Sequence, residues 1–157
     1  MLSDPLPLPV NINRGWRIGI VHSLRHGDLV RALVDEAVSA FEQAGLPRSY
    51  VSLHPCAGAF EIPLIGAGLV AAKQVEALVG FGVIVEGETH HARLIAEESA
   101  RGIMDIQVRY RIPFAFEVLY ARTLEQARKR CCAPYHKGGE AAASVLHSLA
   151  ELGRMHS

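Results

Sequence analysis

The sequence is short of the features that would take a chain to a membrane, to nucleic acid or into an oxidising compartment. Its three cysteines make no framework: Cys56 stands alone and Cys131 and Cys132 are adjacent, a count and spacing that fit neither disulfide pairing nor a CxxC metal site. The vicinal pair suits either a soft metal or redox role, or no role at all beyond closing a helix. Sixteen Lys and Arg offset sixteen Asp and Glu, so no net field recruits nucleic acid or anionic lipid. The longest apolar runs, such as Ala77–Val85, fall far short of a membrane span, and the first residues lack a basic start followed by an apolar stretch. Internal repeats and low-complexity tracts are also missing. These absences predict a cytoplasmic protein whose partners are small molecules or other proteins, with no nucleic acid and no membrane.

What is present fits one domain. Of the 157 residues, 50% are apolar, enough for one core and not comfortably for two. Residues 1–15 carry three prolines and no periodicity, which predicts an extended arm outside the core, of a kind that often lies on a neighbouring subunit. Residues 16–157 then form the single domain. Within it, residues 17–22 have strand length, and residues 29–44 show the helical stripe Leu29, Leu33, Ala37, Phe41 beside Val30, Val34 and Val38, stopped by Gly45. Residues 50–54 predict a second strand, and residues 63–73 a helix opened by Pro63 whose Gly and Ala content suits close packing.

Ala77–Val85 is apolar without alternation, the mark of a strand covered on both faces. A helix over about 92–108 places Ala92, Ile95, Ala96, Ser99, Ile103 and Ile106 inward, and Arg93, Glu97, Glu98, Arg101 and Asp105 outward. Residues 113–120 predict a fourth strand, Thr123 with Gln126 a capping box, and Gly138 and Gly139 the approach to a last helix ending near residue 152. The alternation of strand and helix predicts an α/β fold, a doubly wound parallel sheet with helices on both faces.

Ligands of such sheets sit beyond the carboxyl ends of the strands, near a reversal of strand order. That rule singles out the loops 22–28, 55–63 and 86–91. In the last, Glu86, Gly87, Glu88, Thr89, His90 and His91 join a buried strand to a helix start. Free N–H groups and the positive helix end favour an anion such as phosphate, with glycine allowing close approach; a capped helix with solvated polar residues is the plainer alternative. Histidine there suits proton transfer near neutral pH. Two adjacent histidines diverge in direction, so they make a weak metal site.

Two segments then carry a resemblance. Gly58, Ala59, Phe60, Glu61, Ile62 and Pro63, followed by Gly82, Val83, Ile84, Val85, Glu86, Gly87, Glu88, Thr89, His90 and His91, are similar to the paired signatures of lumazine synthases. Gly102 and Ile103, then Thr123, Leu124, Glu125, Gln126 and Ala127, then Lys137 and Gly138 continue the match, which covers about residues 16–152. The resemblance implies a flavodoxin-like three-layer sandwich with a four-stranded parallel sheet. It implies a transferase of riboflavin biosynthesis that condenses 5-amino-6-(D-ribitylamino)uracil with 3,4-dihydroxy-2-butanone 4-phosphate to 6,7-dimethyl-8-ribityllumazine, with no cofactor and no metal.

By the same resemblance, Ala59, Phe60 and Glu61 match the segment that binds the ribityl chain and pyrimidine, and Val83, Ile84 and Val85 the strand end against which the pyrimidine lies. Glu88 and Thr89 match positions whose amides receive the phosphate, Arg130 the arginine that neutralises it, and His91 the proton-transferring histidine. Phe116 matches a pocket residue contributed by a neighbouring subunit, which implies a homo-oligomer: a pentamer or a dimer of pentamers. Each residue also has a plainer reading. Phe60 and Phe116 suit core aromatics, Arg130 a basic residue favoured at a helix end, and Glu61 a solvated loop acid.

Two departures from the family pattern stand out. Arg25 occupies the place of an aromatic residue that stacks on the pyrimidine; a guanidinium plane can also stack, but brings a charge. Residues 131–136 lack the Gly- and Lys-containing turn of members that assemble icosahedral shells. Arg25 keeps two alternatives open, a non-catalytic flavin- or lumazine-binding protein and an enzyme acting on a different amine.

Overall fold

Ala77–Val85, the apolar run without alternation, is the inner strand β3, and every residue but Val85 is buried. The computed structural model describes residues 4–156. In it, Ile18–Ser23 (β1), Val51–Cys56 (β2) and Phe114–Ala121 (β4) complete a parallel four-stranded sheet of order β2-β1-β3-β4. Ile18 pairs with Ala77 across β1 and β3, and Leu78 with Phe114 across β3 and β4. The chain passes from β1 outward to β2, then crosses back over β1 to β3, so the order reverses between β1 and β3. This is the doubly wound, flavodoxin-like three-layer α/β fold.

Among the described residues, five α-helices cover the sheet: Gly27–Ala44 (α1), Ile62–Ala71 (α2), His91–Tyr110 (α3), Leu124–Arg130 (α4) and Lys137–Met155 (α5). Leu33 and Phe41 of α1, Ala127 of α4 and Leu146 of α5 meet Phe81 on one face. Ile62 of α2 and Ile103 of α3 meet Leu78 and Phe114 on the other. The small residues of α2 do allow close packing: a Cβ on Gly66 would come within 2.5 Å of the Phe114 ring.

Element ends differ from the sequence reading for local reasons. The β1–β2 ladder extends to Ser23 opposite Cys56, past the point where polar residues hide the strand pattern. Gly138 and Gly139 lie inside the first turn of α5 rather than before it. A Cβ on Gly138 would sit 2.3 Å from the Leu33 carbonyl oxygen, and the Gly139 N–H donates to Glu36 Oε1 at 2.9 Å, so these glycines let α5 rest on α1. The Thr123 hydroxyl accepts from the Gln126 N–H at 3.1 Å, while Gln126 Oε1 accepts from Arg122 N–H at 3.0 Å and not from Thr123.

Residues 1–3 of the expected arm lie outside the described residues, and residues 4–16 hold no helix or strand. Leu8, Ile12 and Trp16 nevertheless rest on the core beside α1 and α5, and the Pro7 carbonyl oxygen lies 2.7 Å from His147 Nε2. Apolar residues among and after the prolines thus bring part of this segment onto its own domain. Among the described residues, no helix is long and apolar enough to cross a membrane.

Candidate functional site

Above the reversal between β1 and β3, the strand ends open into a cavity of about 680 Å³. Its floor depends on two bare positions of β3. A Cβ on Gly80 would meet Ile62 Cγ2 at 2.8 Å, and one on Gly82 would meet Ala59 Cβ at 3.2 Å. The 3-10 turn Ala59–Glu61, which leads into α2, therefore settles directly on the sheet. The turn holds its own shape through Glu61 N–H donating to Gly58 O at 3.1 Å, and it presents Phe60 outward and Glu61 at the cavity wall.

The wall after β1 is Arg25. Ser23 is buried at the end of the strand, and its hydroxyl accepts from the Arg25 N–H at 3.1 Å, fixing the turn. The Arg25 side chain then lies across Gly58: a Cβ there would be 3.2 Å from Nε, 3.3 Å from Cδ, and 3.4 Å from Glu61 Oε2. A guanidinium and a carboxylate thus flank the same stretch of backbone, and Arg25 makes no ion pair among the described residues. Cys56, buried beneath, donates its thiol to Gly58 O. Burial, helped by the charge of Glu61, pushes that thiol up to about 11, which keeps it protonated at neutral pH and unsuited to nucleophilic attack.

The opposite wall is the start of α3. His91 is its first residue and lines the cavity, whereas His90, the preceding cap, does not. The His91 N–H donates to the Thr89 hydroxyl at 3.3 Å. Leu94, Ile95 and Glu98 continue this wall along the helix. The hydrogen bond from Arg101, reinforced by its charge, holds the Glu98 carboxyl below the usual carboxylate range.

Of the residues singled out from sequence, the structure brings together Arg25 after β1, Ala59, Phe60 and Glu61 before α2, Val83, Ile84 and Val85 at the end of β3, and Thr89 and His91 at α3. Glu88 sits on the exposed turn just outside the lining, Phe116 on the edge strand β4, and Arg130 at the exposed end of α4, on the other face of the sheet. Phe60 is 58% exposed and Phe116 42% exposed, so neither is a core aromatic. Sequence reasoning did not single out Ser23, His26 or Glu98, which also line the cavity. Glu98 was legible in principle, because seven residues after His91 a helix returns to the same side.

The family model for 6,7-dimethyl-8-ribityllumazine synthase matches residues 15–152. A 6,7-dimethyl-8-ribityllumazine synthase of Methylobacillus flagellatus is 32% identical over 143 residues, 90% of this chain and 94% of the relative. Proteins of the same name from Burkholderia mallei and Burkholderia pseudomallei are each 38% identical over 138 residues, 88% of this chain and 78% of theirs. With nearly the whole fold matched in this way, the chain belongs to the 6,7-dimethyl-8-ribityllumazine synthase family.

Proposed function

We propose that the protein is a working 6,7-dimethyl-8-ribityllumazine synthase, a transferase of riboflavin biosynthesis whose active site is the cavity between Arg25, the Ala59–Glu61 turn, the end of β3 and the start of α3. The observation that carries this reading is the convergence of those four segments, distant in sequence, on one cavity at the reversal of strand order. In this reading 5-amino-6-(D-ribitylamino)uracil lies against Val83, Ile84 and Val85 with Arg25 over its ring. Its ribityl hydroxyls bond to the Ala59–Glu61 backbone and the Glu61 carboxylate. The phosphate of 3,4-dihydroxy-2-butanone 4-phosphate sits at the amides of Glu88 and Thr89, where a helix start favours an anion.

The pyrimidine amine attacks the ketone, and loss of water gives an imine. A proton leaves carbon as phosphate departs, and the ribityl-bearing nitrogen closes the ring with further loss of water. Every step moves a proton, and His91, at the junction of the two substrate regions, is the group to carry it. Holding two reactants face to face supplies much of the remaining acceleration, and the steps call for no metal or redox cofactor.

The reading extends to assembly. Phe116 and Arg130 are exposed and lie apart from their own chain's cavity, which supports a cyclic homo-oligomer in which a neighbour supplies them: a pentamer or a pair of pentamers, working in the cytoplasm. One catalytic domain begins at about residue 16, with the preceding segment laid in part against its own core. The test is to mix the purified protein with both substrates and follow the absorbance and fluorescence of the lumazine product. Turnover supports the enzyme; a coloured or fluorescent complex without turnover identifies a flavin- or lumazine-binding protein on the same scaffold.

A further inference from the structure

Ser99 is fully buried in the middle of α3, 0% exposed. Its hydroxyl reaches two carbonyl oxygens: that of Ile95 one turn earlier on the same helix, at 2.6 Å, and that of Ala59, forty residues away, at 3.0 Å. The Ala59 carbonyl already accepts the Ile62 N–H that closes the 3-10 turn. The same oxygen is thus the point at which α3 can grip the turn. The helix that grips it also begins at His91. Just beyond, Gly102 leaves room for Pro63, since a Cβ there would lie 2.8 Å from Pro63 Cγ; α3 and the start of α2 are seated together by a polar contact and a close apolar one.

We infer that Ser99 is a positioning residue for the pyrimidine half of the site: its hydroxyl holds the Ala59 carbonyl and so fixes the Phe60 and Glu61 backbone relative to the helix that carries His91. This rests on the reading of the cavity given above, and it goes beyond it by assigning a role to a side chain that touches no substrate. A hydroxyl has one hydrogen to donate. If that hydrogen is committed to the Ile95 carbonyl, the contact with Ala59 is mere proximity, and the turn will not sense removal of the hydroxyl.

The experiment compares the wild type, Ser99→Ala and Ile106→Val, the last being a core truncation about two turns further along α3 that lowers stability without removing a hydrogen bond. Amide hydrogen exchange at Glu61 and Ile62, the two donors that close the turn, should quicken by about three- to tenfold in Ser99→Ala, the scale of one lost hydrogen bond, and stay at the wild-type rate in Ile106→Val. The KM for the pyrimidine should rise by a similar factor in Ser99→Ala while that for the ketone phosphate stays within about twofold. Unchanged exchange in Ser99→Ala, equal quickening in Ile106→Val, or an equal rise in both KM values would overturn the inference. A wild type without turnover would refute the proposed function instead, and the exchange measurement would still decide whether Ser99 grips the turn.

Discussion

Arg25, which by resemblance takes the place of a stacking aromatic, lies across the Gly58 backbone, where a Cβ would come within 3.2 Å of its Nε, and it has no ion-pair partner among the described residues. Two roles follow from its chemistry. A guanidinium can stack flat on a heterocycle, or it can hold an anionic group on a ligand. Its stem and Nε lie across Gly58 in the lining of the cavity, which favours stacking. A contact of that kind is worth roughly 0.5–2 kcal/mol, so Arg25→Ala should weaken pyrimidine binding by about two- to thirtyfold. Arg25→Trp should restore it, since a large ring supplies the same plane. Titration calorimetry with the pyrimidine decides: loss in both variants, with no wild-type turnover, means that the cation recognises an acidic group and the natural ligand is a different one. The strand-end rule pointed to the loop 22–28 and family likeness to Arg25 within it, but neither to Ser23, whose hydroxyl fixes that loop; a lone serine at a strand end carries no signal until its partner is seen.

At the scale of elements, what could be read in advance was whatever depends on local pattern. The apolar run of β3, the stripe of α1, the glycine stop at Gly45 and the Thr123 cap all act within a few residues of themselves, and all are present. What could not be read depends on a partner far along the chain. Gly138 looks like a loop residue until α1 is placed beside it, and Glu117 looks like an outward residue of an edge strand. In the structure Glu117 points to the face shared with α1 and α5. Burial, opposed by Lys137 and strengthened by Glu140 and Glu36, pushes its carboxyl up to about 7. A carboxyl raised above its ordinary value favours the folded state when protonated. That contribution is fully present below about pH 4.5 and is lost as the pH rises through about 7, by up to about 3 kcal/mol. Glu117→Gln should therefore leave the melting temperature almost unchanged at pH 4 and raise it at pH 8. A difference between the two proteins that is the same at both pH values would show that Glu117 is already solvated in the native state.

For the whole molecule, the fold was legible because strand and helix alternate with short connections, which leaves few topologies open. The candidate site was proposed mainly through family likeness, since its four contributing segments come together only when the sheet forms. The segment before β1 was harder: prolines signal an extended chain, but Leu8, Ile12 and Trp16 decide where it lies. The exposure of Phe116 and Arg130 away from their own cavity leads to the assembly prediction. Light scattering should give about 86 or 171 kDa, five or ten times the 17.1 kDa chain; a stable, active monomer or a shell near one megadalton would contradict it. The central claim is that the cavity performs the condensation with His91 as the proton carrier, and the steady-state rate of lumazine formation by His91→Ala, beside His90→Ala and the wild type, tests it most directly. The account predicts a fall of about ten- to ten-thousandfold in kcat for His91→Ala with the fold intact, and a much milder change for His90→Ala; a His91→Ala enzyme as fast as the wild type would contradict it.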